Sequence, residues 1–154
     1  MSHGSRIGFV VFGLGRAGVI HSMNLIRNPQ ATLKWIVDID EDKAKKFVTE
    51  NFMDTQVIAP SDMDKALLDP TVQAAVVATP TEMHEDIVMR CLRAGKAVFC
   101  EKPIAPTLQA IGKKLSRPLN RMLINNIRYF KFTCSEIFPG LFNNDNFCVF
   151  AVKI

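Results

Sequence analysis

Several features that would narrow the reading of this chain are missing. No apolar run is long enough to cross a bilayer; the longest, Ile7 to Gly15, ends at Arg16. The basic, apolar and small-residue order of a secretory signal with its cleavage site is absent, so a cytoplasmic protein is expected. The four cysteines, Cys91, Cys100, Cys134 and Cys148, form no C-x-x-C pair and no metal-ligand spacing. Reduced thiols and no metal site are the expectation. There are three histidines, His3, His21 and His84, and none beyond Lys102. No internal repeat is visible.

What is present suits one domain: 154 residues, 48% hydrophobic and 22% charged. That is enough apolar material for a core. The net charge of +4 is unevenly placed. Residues 1–105 hold 12 Lys/Arg and 13 Asp/Glu, a net of −1, whereas residues 106–154 hold 7 and 2, a net of +5. Such an asymmetry can mark a nucleic-acid or membrane contact, or a different kind of sequence.

The first part, residues 1–105, alternates strand and helix. Ile7–Phe12 is a solid apolar run, as a strand buried on both faces must be. Glycines follow, then a helix from about Ala17 to Arg27. Leu33–Asp38 is a second apolar run, and Asp40 can cap a helix reaching about Glu50. Gln56–Ile58 is a weak strand. Ser61 opens a near capping box for a helix to Leu68. Ala74–Ala78 is the next buried strand. Thr81 is expected to cap a helix over 82–94, with Met83, Ile87, Cys91 and Leu92 on one face, and Gly95 to stop it. Ala97–Cys100 is a fifth strand. This order predicts right-handed βαβ units: an α/β fold with a doubly wound parallel sheet and helices on both faces. A ligand then binds beyond the carboxyl ends of the strands, in the loops after Phe12, Val37, Ala78 and Cys100.

Residues 106–154 read differently. Gly112 interrupts a possible helix over 108–115, and no clear period follows Pro118. Phe, Asn, Ile and Lys make up 21 of these 49 residues, against 23 of the 105 before. These are residues of adenine- and thymine-rich codons. An atypical tail is expected, poorly ordered or drawn from an alternative exon, a retained intron or a gene-model error. The competing reading is an authentic irregular end segment with Phe147–Val152 as one more strand.

Two loops carry chemistry that can be read from the residues. Gly13-Leu14-Gly15-Arg16-Ala17-Gly18 follows a buried strand and opens a helix, the context in which G-x-G-x-x-G has meaning. Gly13 allows the tight turn, Gly15 lets a pyrophosphate approach the backbone, and Gly18 brings the helix close to the strand. The helix N-terminus then receives the phosphates, with Arg16 as a further cation or a solvated side chain. The alternative is the same turn without a ligand. Asp38 lies 20 residues beyond Gly18, at the end of the second strand. A carboxylate there can accept from both adenosine ribose hydroxyls and repels a 2′-phosphate, which favours NAD over NADP. An ordinary turn aspartate is the other reading.

Ala78-Thr79-Pro80-Thr81-Glu82-Met83-His84 and Ala94-Gly95-Lys96-Ala97-Val98-Phe99-Cys100-Glu101-Lys102-Pro103 follow the glycine turn in register. With these motifs residues 5–105 resemble the glucose-fructose oxidoreductase/inositol dehydrogenase (Gfo/Idh/MocA) family, close to its inositol 2-dehydrogenase-like members. The resemblance implies an NAD-dependent oxidoreductase acting on a polyol or sugar-like secondary alcohol. It places Gly13 to Gly18, including Leu14 and Ala17, and Asp38 on the cofactor's adenosine and pyrophosphate. Thr79 and Pro80 would lie beside the nicotinamide half. His84 would be near that site, in contact or as a structural histidine. Glu101 and Lys102 match the family's Glu-Lys-Pro motif, whose lysine binds and polarises the reacting hydroxyl.

The chain departs from the family where substrate would bind. The resemblance implies that family members carry a second, α+β domain that supplies substrate contacts and commonly a histidine base, and these 154 residues are expected to lack it. His21 reads as packing or surface. The expectation is a dinucleotide-binding domain, 1–105, of an inositol or sugar dehydrogenase-like oxidoreductase. Alternatively, the chain is a truncated, inactive NAD-binding isoform or fragment. A polyol partner requires a second domain, and the oligomeric state is open. A nucleic-acid role for Arg117, Arg121, Arg128, Tyr129, Phe130 and Lys131 lacks any accompanying motif. A short-chain dehydrogenase is excluded because Thr133 stands where that family needs lysine after Tyr129.

Overall fold

The computed structural model describes residues 6–101, and the backbone strands at residues 127–133 and 147–153. Five strands, β1 (Ile7–Phe12), β2 (Ala31–Val37), β3 (Gln56–Ile58), β4 (Ala74–Val77) and β5 (Ala97–Cys100), form a parallel sheet. Helices α1 (Arg16–Arg27), α2 (Glu41–Glu50), α3 (Met63–Leu68) and α4 (Thr81–Arg93) connect them. The sheet order is β3-β2-β1-β4-β5. The chain runs outward from β1 through β2 to β3, then returns to the other side of β1 as β4. The switch in direction falls between β1 and β4, which is where a doubly wound sheet opens a crevice at its carboxyl edge.

The strands are apolar because both faces are covered. Side chains of alternating parity point to opposite faces. Val10, Phe12, Ala75, Val77, Val98 and Cys100 form one core with Met63, Ala66 and Leu67 of α3 and Ile87, Cys91 and Leu92 of α4. Phe9, Val11, Ala74, Val76 and Phe99 form the other, with Leu25 of α1 and Ala44 of α2. In β2 the parity slips. Phe9 pairs with Leu33 but Val10 pairs with Trp35, so a bulge at Lys34 breaks the register. Leu33 and Ile36 therefore share one face while Trp35 and Val37 turn to the other.

Local expectations held at several termini. Asp40 caps α2, its side chain accepting from the Lys43 N–H at 3.0 Å. Gly95 ends the α4 connection with φ +74°, a value L side chains rarely adopt. Three expectations are corrected. Ser61 caps nothing: Pro60, with its fixed φ, starts a 3-10 turn (Pro60–Asp62), and α3 begins at Met63 without a side-chain cap. Thr81 is the first residue of α4 rather than its cap; Pro80 takes that place and has no hydrogen-bonding side chain. Met83 is exposed, and the buried stripe of α4 runs through His84, Ile87, Cys91 and Leu92.

Two further strands lie in the C-terminal third. β6 (Ile127–Thr133), which no sequence period announces, pairs antiparallel with β7 (Phe147–Lys153). β7 overlaps the Phe147–Val152 run. It pairs antiparallel with β5, aligning Val98 with Ala151, Phe99 with Phe150 and Cys100 with Val149. The possible helix over 108–115 lies outside the described residues, as do Cys134 and the side chain of Cys148.

Candidate functional site

The switch-point crevice is walled by the turns after β1 and β4. Gly13 has φ +86°, and a Cβ there would meet the Ala78 carbonyl oxygen at 2.8 Å. A left-handed backbone and an abutting neighbour both demand glycine. Gly18, in the first turn of α1, faces the Gly13 carbonyl so closely that no Cβ fits, and Ala78 stands behind it at 3.7 Å. Gly15 is different. Its backbone is ordinary (φ −72°, ψ −169°), and a Cβ would meet nothing within 4 Å. Two glycines of the turn are thus explained by the fold itself, and the third by empty space beside it.

That space adjoins the N-terminus of α1. Gly15 caps the helix with no side-chain hydrogen bond, and no acidic side chain lies in the first turn. The first N–H groups of a helix lack intrahelical partners and its dipole is positive there. Arg16 and Gly15 are exposed, whereas the Leu14 side chain is folded down into the core.

Asp38 follows β2 and ties the glycine turn to that strand end. Its Oδ2 accepts from the Leu14 N–H at 2.5 Å, and its Oδ1 accepts from the Asp40 N–H at 2.8 Å. The carboxylate is only partly buried, and with four lone-pair sites it retains capacity to accept from hydroxyls. Lys43 of α2 donates from Nζ to the Leu14 carbonyl at 2.8 Å.

On the other side, Thr79 and Pro80 form the turn from β4 to α4. The Thr79 hydroxyl is buried without a hydrogen-bond partner among the described residues. His84 is buried in α4, with Nε2 2.8 Å from the Thr79 carbonyl oxygen. The structure therefore brings His84 to the back of the turn. Glu101, at the end of β5, places Oε1 2.5 Å from Nε2 of His21 in α1. His21 is buried and packs edge-on against Phe99, with ring centroids 4.8 Å apart. Lys102 lies outside the described residues. Beneath this edge, burial pushes the Cys91 and Cys100 thiols up to about 12, with the Glu101 charge adding to the rise at Cys100. These thiols are inert core groups.

The glycine turn, Asp38 and the Thr79–Pro80 turn were legible as motifs. Lys43 and the His21–Glu101 pair were not. Each joins residues distant in sequence, 29 and 80 positions apart, and no local pattern signals them. Among the described residues no group of His, Cys, Asp and Glu could hold a metal ion, and no helix is long and apolar enough to cross a membrane.

A glycine turn at the switch point, an uncapped helix N-terminus beyond it and a carboxylate at the end of β2 define a dinucleotide-binding Rossmann domain. Residues 7–117 match the profile of the Gfo/Idh/MocA oxidoreductase family, NAD-binding Rossmann fold, and the chain belongs to that family. Myo-inositol 2-dehydrogenase from Thermotoga maritima is 36% identical over 110 residues, 71% of this chain and 31% of that protein. Among solved structures, GenD2 from gentamicin A biosynthesis, in complex with NAD, superposes with a TM-score of 0.63 at 33% identity. The match covers 75% of this chain and 32% of GenD2. Scyllo-inositol dehydrogenase from Lactobacillus casei, with bound NAD(H) and scyllo-inositol, gives 0.62 at 26% identity, covering 73% and 32%. The chain thus spans about a third of the length of the relatives it matches.

Proposed function

We propose that this domain holds NAD across the switch-point crevice and serves an oxidoreductase acting on a polyol or sugar-like secondary alcohol. The observation that carries the cofactor assignment is the contrast among the three glycines of the turn: of Gly13, Gly15 and Gly18, Gly15 alone has room for a Cβ, and that room lies at the uncapped start of α1. Gly13 to Gly18 would hold the pyrophosphate and Asp38 the adenosine ribose. A carboxylate beside the 2′ position favours NAD over NADP. Thr79 and Pro80 would flank the nicotinamide half, with the Thr79 hydroxyl available to the ligand or an ordered water. His84 would act through Thr79, by holding its carbonyl. Glu101 would anchor the end of β5 through His21, one residue before Lys102. By family resemblance, Lys102 assists the reacting hydroxyl. When bound, NAD supplies the ring that accepts the hydride.

Substrate chemistry needs more than these residues. Both histidines among the described residues are buried and engaged within the domain, His21 with Glu101 and His84 with Thr79. Neither is presented to the crevice as a base. We infer that a substrate pocket and base come from a further domain, and that this 154-residue chain, in the cytoplasm with its thiols reduced, binds NAD without turning over polyols. Calorimetry with NAD and NADP, and NADH formation with myo- and scyllo-inositol, test both parts. Saturable NAD binding without turnover is expected. No binding would refute the cofactor assignment, and turnover at an ordinary enzymatic rate would refute the inference of inactivity.

A further inference from the structure

Leu14 has both polar backbone atoms held by charged side chains of opposite sign. Its N–H donates to Asp38 Oδ2, and its carbonyl accepts from Lys43 Nζ at 2.8 Å. Both partners come from one corner, between β2 and α2. That corner is itself tied together, since Asp40 donates its N–H to Asp38 and accepts the N–H of Lys43. The Leu14 carbonyl and the Gly15 N–H belong to one planar trans peptide, so they point in opposite directions. Fixing the carbonyl toward Lys43 fixes the Gly15 N–H away from it. The ammonium also polarises that peptide, making its N–H a stronger donor.

We propose that Lys43 is a positioning residue for dinucleotide binding. It locks the Leu14–Gly15 peptide so that the Gly15 N–H faces the phosphates and the carbonyl does not. This rests on reading the glycine turn as the pyrophosphate site. Without the ammonium, the peptide can rotate and turn a partial negative charge toward an anionic ligand. Because the Lys43 side chain is exposed, its replacement leaves the core intact.

The test compares wild type, Lys43→Met and Lys43→Arg by calorimetry with NAD and with ADP, which has the pyrophosphate but no nicotinamide. Lys43→Met is expected to bind both ligands roughly five- to tenfold more weakly, because a freed peptide weakens the charge-assisted bond from the Gly15 N–H to the phosphate. Its ligand-free melting temperature should fall only slightly, since the bond lost is to an exposed side chain. Lys43→Arg, which keeps a cationic donor, should restore most of the affinity. Unchanged NAD affinity in Lys43→Met would overturn the proposal. A loss confined to NAD and spared for ADP, or one that tracks a fall in ligand-free melting temperature and is not rescued by arginine, would also overturn it. Absence of NAD binding in the wild type would instead remove the cofactor reading beneath it.

Discussion

Gly15→Val and Gly18→Ala should separate folding from binding within one turn. At Gly15 the backbone is one that any residue adopts, and an added side chain enters open space. The stability change should be about 1 kcal/mol or less, the scale of replacing glycine at a helix N-cap by a poorer capping residue. At Gly18 a single methyl is driven against the Gly13 carbonyl, a backbone atom that cannot swing aside. Overpacking of this kind costs about 1–3 kcal/mol, and contact with backbone puts the expectation at the upper end. Against a total stability of about 5–15 kcal/mol, urea melts resolve the two variants. For cofactor the order reverses. The valine side chain occupies the volume a phosphate needs and separates it from the helix N–H groups. Losing one hydrogen bond to a charged group, about 1.5–3 kcal/mol, lowers NAD affinity at least tenfold, and losing two lowers it at least about a hundredfold. A Gly15→Val protein that melts like wild type and binds NAD normally would refute the cradle. A Gly18→Ala protein of wild-type stability would refute the packing argument.

Two further outcomes follow from groups at opposite ends of the sheet. Asp38→Ser should weaken NAD at least tenfold, since it removes a charged acceptor for the ribose together with the anchor of the Leu14 N–H; it should also improve NADP, and an unchanged NAD/NADP affinity ratio would remove Asp38 from the ribose site. Asp69 accepts from the indole of Trp35, the single tryptophan, at 2.7 Å and from Thr71, and these bonds hold its carboxyl below the usual 3.8. A folded pKa below the unfolded one gives stability that is present above about pH 4 and lost as pH falls through the depressed value. Tryptophan emission and urea midpoints between pH 5 and 2 should show this loss in wild type and not in Asp69→Asn; parallel pH profiles would refute it.

The sequence showed the sheet and its connecting helices because strands buried on both faces and amphipathic helices each impose a period. It showed the glycine turn and Asp38 because a tight turn and a ribose site each demand one residue type at a fixed place. What it hid depends on contacts across the fold. The bulge at Lys34 shifts the facing of β2, yet the run Leu33–Val37 is apolar throughout, so no alternation exists to be broken. Thr81 and Ser61 looked like caps, but the prolines beside them set the backbone first. His21 reads as one more helix residue until β5 brings Glu101 against it. Met83 had the right spacing for the buried stripe, and His84, a polar residue with a carbonyl to hold, took the position.

The C-terminal strands raise the remaining question of what the end of the chain does for the sheet. β5 is buried on both faces by Val98, Phe99 and Cys100, so its free edge would present unpaired N–H and C=O groups beside an apolar core. β7 covers that edge over three aligned residue pairs, and β6 covers β7 in turn. Each ladder hydrogen bond contributes about 0.5–1.5 kcal/mol net, so a short ladder is worth roughly 2–4 kcal/mol, a large share of a marginal stability. Phe150→Pro tests this from the backbone alone. β7 is an interior strand, and proline there removes an N–H and cannot be accommodated in the ladder. The variant should lose about 2 kcal/mol or more in urea melts, with faster amide exchange at Val98 to Cys100, while residues of β1 and β2 keep their relative protection. If stability and exchange in β5 match wild type, the hairpin does not contribute to the fold, and residues 6–101 form the cofactor domain without it.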